Sequence, residues 1–241
     1  GGIDMTTSDR GQSNVVGVAL LLGIAVVSMG TLTAAVGVVV DSSAAEADAE
    51  RVATDLDDAL EPVAATGPQR GTVTFSEGRL TSVDRAMTIR ADGSQVATVS
   101  VDALVFESGD RRVRFHAGAI VRGSDERAWL HAPPPFTVSE DILIVSAPTI
   151  GNDIGSITGS GGVTATIETD VSHNRRDLGE ATFGIAVETA TPTVWERWFR
   201  KQGATVDREP GTPPVVVGTF EGRRTGYLVV HDLNPELTGR G

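Results

Sequence analysis

The chain has 241 residues with 40% hydrophobic and 22% charged side chains, enough to bury a core and too apolar for a disordered polymer. It has no cysteine, which excludes disulfides, thiolate metal sites and a cysteine nucleophile. A formal charge of −12 argues against a nucleic-acid binder held by phosphate contacts.

Lys201 is the only lysine beside nineteen arginines. An acidic, arginine-for-lysine composition is the usual look of proteins from salt-loving organisms. Added ions screen the like-charge repulsion of such a surface, with a Debye length of ~3 Å at 1 M, so the fold is expected to depend on salt.

From Gly11 to Val40 there is no charged residue, and from Val15 onward the run is almost wholly Val, Leu, Ile, Ala and Gly. As a helix it would rise about 39 Å, more than the ~30 Å hydrocarbon core of a bilayer. The run therefore reads as a membrane span, and no second such run occurs after it. It is too long for the apolar region of a secretory signal peptide, normally about 7–15 residues.

The segment 41–61 places Val52, Leu56 and Leu60 at i, i+4, i+8, with Ala45, Ala49 and Ala53 extending the face. Asp48, Glu50, Asp55, Asp57 and Asp58 occupy much of the remainder. This predicts an amphipathic helix stopped by Pro62 and Gly67-Pro68. Nothing between Val40 and Asp41 breaks a helix, so one rod is expected, with its second half projecting from the membrane.

After Pro68 the period changes to two. Thr72–Phe75 and Arg79–Val83 flank Ser76-Glu77-Gly78, a hairpin signal. Strands are predicted over 86–90, 95–101, 103–107, 111–115, 118–122, 128–132 and 142–146. Gly151 to Gly162 reads as a glycine-rich exposed loop. It has no Gly-Lys-Ser/Thr and leads into a strand, so it is no phosphate cradle. Strands return at 163–171, 182–189, 215–220 and 227–231. Thr193–Gln202 is the one convincing helix of this region, with Pro192 before it and Gly203 after. Its Trp195, Trp198 and Phe199, at i, i+3, i+4, form a stripe that packs a helix onto a sheet.

The fold class expected is α+β. A long N-terminal hydrophobic α-helix (membrane span or filament core) precedes a mostly antiparallel β-sandwich-like head with one packed helix. The domains expected are a leader at 1–11, a helix over 12–61 (span 15–40, extension 41–61) and a head at 67–241 that folds alone as a soluble monomer.

Chemistry is sparse. His116, His131, His173 and His231 are scattered with no i, i+4 pair, so no metal site is expected. No nucleophile elbow, zinc-protease motif or EF-hand loop occurs, so no catalytic residue, enzyme activity or cofactor is expected. Gly23, Gly30 and Gly37 fall seven apart in the span, a stripe of small residues suited to close packing in lipid. The alternative is that glycine is simply commoner in membrane helices.

The junction Ser8-Asp9-Arg10-Gly11-Gln12-Ser13-Asn14-Val15-Val16-Gly17 carries the sharpest signal. A short polar leader, a basic residue and a glycine stand immediately before a polar triplet and the apolar run. This resembles the class III signal of archaeal type IV pilins and archaellins, in which a membrane aspartyl peptidase cuts after the glycine. The resemblance implies that Arg10 and Gly11 end the leader and that Gln12 becomes the new N-terminus. Asn14 departs from the proline or glutamate frequent in the family at that place. The body, in DALVFESGDRRVRFHAGAIVRG, ETATPTVWERWF and RTGYLVVHDL, is similar to a haloarchaeal group of pilin-like proteins.

The resemblance implies a structural subunit of an archaeal type IV pilus-like filament. It would be held in the cell membrane as a precursor and then assembled at the cell surface with its head outside. The implied partners are further copies or related subunits, a prepilin peptidase, an assembly ATPase and a membrane platform protein, with no nucleic acid. The other reading is a singly anchored extracellular β-domain that acts as a binding or adhesion module without polymerising.

Overall fold

The computed structural model describes residues 24, 43–61, 66–151 and 154–240. Contacts divide the chain into a unit over 1–44 and a compact unit from Ala45 to Gly241, and the second unit contains the whole of the sheet.

Strands make up 63% of the described residues. The order is α1 (43–59), β1 (Gly67–Val83), β2 (Ala86–Ala91), β3 (Ser94–Ser100), β4 (Ala103–Ser108), β5 (Arg111–His116), β6 (Ala119–Arg122), a 3₁₀ turn (Asp125–Arg127), β7 (Trp129–Ala132) and β8 (Thr137–Val138). Then come β9 (Ile142–Thr149), β10 (Ser156–Glu188), α2 (Pro192–Lys201), β11 (Thr205–Glu209), β12 (Val215–Asp232) and β13 (Glu236–Arg240). The strands join in one network with the path β7-β6-β5-β4-β1-β10-β12-β9-β8. All pairs are antiparallel except β9 with β12.

β10 is the spine. Its first half pairs with β1 and β13, and from Ser172 its second half pairs with β12 and then β2. Each half-sheet buries its own core. The first holds Val73, Phe75, Leu80, Phe106, Phe115 and Ile167 against Val52 and Leu56 of α1 and Leu60 just after it. The second holds Phe183, Ile185, Val187, Val216 and Phe220 against Trp195, Trp198 and Phe199 of α2. The stripe of α2 is buried as its spacing predicts.

Several expectations are corrected. The chain is mostly β, and the long N-terminal helix that defined the α+β expectation is not seen. Among the described residues no helix is long and apolar enough to cross a membrane. The leader at 1–11 lies outside the described residues, as does the span 15–40 except for Ile24. The amphipathic extension does not project: Ala49, Val52, Ala53, Leu56 and Leu60 are buried in the first core. The reason is that a bare β-sheet face needs an apolar cover, and this stripe supplies it. The compact unit accordingly starts at Ala45 and not at Gly67.

The hairpin expected at Ser76-Glu77-Gly78 is the interior of β1, which runs unbroken from Gly67 to Val83. The loop expected to reach Gly162 is strand from Ser156 onward. Gly161 and Gly162, at φ +88° and +100°, face the single residue Ser76 across the ladder and form a bulge. Glycine is required there because left-handed backbone strains any other side chain. β8, β11 and β13 add to the expected strands. They are short and lie at the margins of the sheet.

Residues 45–241 should therefore unfold cooperatively as an isolated fragment, whereas residues 67–241 should not fold. Circular dichroism and urea denaturation of the two fragments check this. A cooperative transition for 67–241 would show that α1 is dispensable.

Candidate functional site

α1 opens the compact unit and packs on the first half-sheet. α1 lies over the inner face at the free edge of β1 and runs antiparallel to it. A Cβ added at Gly71 would stand 2.3 Å from Ala59 Cβ, so the two backbones meet there without room for a side chain. The eleven helical steps from Asp48 to Ala59 span about 16 Å, and the five strand steps from Gly71 to Ser76 span the same. The two elements stay in register because these lengths match.

Two carboxylates fasten them. Asp48, 3% exposed, accepts hydrogen bonds from Ser76 N at 2.7 Å, Ser76 Oγ at 3.2 Å and Glu77 N at 3.4 Å. Asp55 accepts from Thr74 N at 2.9 Å and Thr74 Oγ at 3.2 Å. Residues 67–77 of β1 have a strand on one side only, so these backbone donors otherwise lack a protein partner. A second tie joins the first turns of α1 to β5 and β6. The buried Arg122 guanidinium pairs with Glu46 at 2.9 Å and with Glu50, and it lies 5.0 Å from the centre of the Trp129 ring. Arg111 also reaches Glu46, at 3.1 Å.

Chemically this join holds and orients: its two carboxylates are taken up by the backbone and hydroxyl donors of Thr74, Ser76 and Glu77. The residues singled out from sequence, Arg10, Gly11 and Gln12 at the cleavage junction and Gly23, Gly30 and Gly37 in the small-residue stripe, lie outside the described residues. Sequence reasoning placed Asp48 on the solvated face, although it shares the 48, 52, 56 line with Val52 and Leu56. A carboxylate on that buried line was the available signal.

The histidines are distributed unevenly. His116 is buried with its ring 5.6 Å, between centroids, from that of Trp195 in the second core. Burial lowers its pKa to about 3, with the charges of Arg85 and Arg114 adding to the effect. His173 and His231, 58 residues apart, are brought side by side with Nδ1 atoms 2.8 Å apart. No sequence spacing reports such a pair; the β10–β12 register creates it. Among the described residues no three histidines or carboxylates gather as a metal centre. An open cleft of about 520 Å³ lies between β3 and the β10–β12 surface, and the charged groups lining it are Arg176 and Asp232.

A family model matches residues 10–236, nearly the whole chain. The chain belongs to DUF7289, a family of unknown function. The match begins at Arg10, so it takes in the apolar run and α1 together with the sheet. No curated protein and no solved structure matches the chain.

Asp48→Ala should cost about 2–3 kcal/mol, since it strands buried backbone donors. Asp57→Ala on the exposed side of α1 should change stability by no more than about 0.5 kcal/mol. Urea midpoints measure both, and equal effects would refute the fastening role.

His116 gives a pH dependence of defined sign. Its folded pKa lies below the unfolded value of about 6.5. The unfolded chain therefore binds the extra proton, and stability present at neutral pH falls as pH drops from about 6.5 towards 3. The loss reaches about 5 kcal/mol at most. His116→Gln should flatten this part of the stability–pH curve, and an unchanged slope would show that His116 is not its source.

Proposed function

We propose that this protein is a structural subunit of an archaeal type IV pilus-like surface filament, made as a membrane-held precursor and cleaved after Gly11. The observation that carries the reading is the junction Arg10-Gly11-Gln12-Ser13, set directly before a charge-free apolar run that ends at Val40. The compact unit starts five residues later, at Ala45. Its first helix is tied to the sheet through Asp48, Asp55 and the Glu46–Arg122–Glu50 cluster. A subunit drawn into place by its N-terminal segment needs its head fastened where that segment enters. A merely tethered head does not.

In this reading the apolar segments of neighbouring subunits pack together, and Gly23, Gly30 and Gly37 let them approach closely. The heads form the outer coat. A prepilin peptidase, an assembly ATPase and a membrane platform protein act on the precursor.

Mass spectrometry of the mature N-terminus should find Gln12. An uncut leader, or cleavage near Ala44, overturns the proposal. Gly11→Val should leave an unprocessed and unassembled precursor. Gly30→Leu should be processed normally yet abolish filaments seen by negative-stain microscopy, because overpacking of this kind costs about 1–3 kcal/mol per site and recurs at every subunit. Val27→Leu should be tolerated. Equal filament yield from the two leucine variants removes the packing seam. Normal processing with no filaments at all in the unmodified protein would favour the singly anchored binding module.

A further inference from the structure

β10 and β12 place His173 directly opposite His231, beside the point where β10 leaves β1 for β12. The rings meet nearly edge to face, with centroids 4.8 Å apart and planes at 82°. The two Nδ1 atoms are 2.8 Å apart. His231 is buried at 5% exposure, which fixes its ring, whereas His173 is exposed and gives access from solvent.

At that distance one Nδ1 donates its proton and the other accepts it, so both nitrogens are directed into the same small space. A metal ion that takes the place of this hydrogen bond, seated off the line between the two nitrogens, is held by both rings. Two metal–nitrogen bonds of about 2.0 Å at angles from a right angle to tetrahedral put their nitrogens about 2.8–3.3 Å apart, a separation this pair can meet. Affinity selects the ion, because imidazole sites bind Cu(II) more tightly than Ni(II) or Zn(II).

We propose that His173 and His231 form a chelating pair for a divalent metal that takes imidazole ligands, Cu(II) foremost and Ni(II) second, bound through both Nδ1 atoms. The ring that donates in the metal-free pair moves its proton from Nδ1 to Nε2, so two neutral imidazoles ligate and no proton is released. Among the described residues no third histidine or carboxylate joins them, so water fills the remaining positions. Arg175, two residues along the same face, is held over the Tyr227 ring with its guanidinium carbon 4.2 Å from the ring centre. The net charge of −12 favours a cation over the chain as a whole. The site does not depend on the filament reading.

The test is titration of the full chain in detergent with CuCl₂ in a non-coordinating buffer, followed by calorimetry and electron paramagnetic resonance. The expected result is one Cu(II) per chain with a tetragonal spectrum split by two nitrogens. His173→Ala should weaken binding at least tenfold, and His131→Ala should leave it unchanged. Zn(II) should bind at least tenfold more weakly than Cu(II). His231→Ala should match His173→Ala. If loss of that buried ring unfolds the chain, the exposed His173 variant, with circular dichroism to show its fold intact, decides alone. No stoichiometric binding, or binding that survives His173→Ala, overturns the proposal. Equal affinity for Zn(II) overturns the preference for Cu(II).

Discussion

A strand with a neighbour on one side only leaves a row of backbone donors that something must satisfy, and the first half of β1 is such a strand. Much of the head depends on how that need is met. Asp48 and Asp55 reach from α1 to the N–H groups of Thr74, Ser76 and Glu77. The same helix packs Val52 and Leu56 into one core with Val73 and Phe75. One helix thus ends the hydrogen-bonding edge and closes the apolar face. An exposed edge of this length invites pairing with other chains. Its closure by a charged helix removes that route to unspecific pairing.

The closure has a geometric requirement in β10. Asp48 caps Ser76 at the point where Gly161 and Gly162 bulge from the partner strand. Beyond it β10 continues into the second half-sheet, where the aromatic stripe of α2 performs the covering that α1 performs in the first. The two helices are alike in role and unlike in means. α2 packs large rings onto its sheet. α1 has mostly alanine, valine and leucine on its buried line and adds hydrogen bonds and ion pairs to hold its place.

What could be read from the sequence tracks the period of the apolar residues. The stripe 52, 56, 60 and the stripe 195, 198, 199 are both buried, because a helix with one apolar side has one way to hide it. Most central strands were legible for the corresponding reason, an alternation with one face inward. The long strands read as pairs because their middle stretches are polar. Residues 172–177 are exposed apart from the cross-strand contacts of His173 and Arg175, so no alternation marks them. Gly161-Gly162 looked like slack because a bulge and a loop use the same residue. Asp48 was misplaced because charge outweighed its position on the buried line. The His173–His231 contact was beyond reach, since it depends on a register that no local pattern records.

The pairing of β1 with β10 brings together residues about a hundred positions apart, as in the ion pair between Arg70 and Glu168. Contacts of this reach form slowly, because the entropy of closing a large loop is lost before the contact returns anything. During synthesis α1 and β1 leave the ribosome well before their partner strand exists. The apolar side of α1 and the uncovered edge of β1 must wait for it. The stretch of chain that ties the head together is therefore also its most exposed part while the molecule is being made, so timing, and not only final stability, bears on how it reaches its folded state.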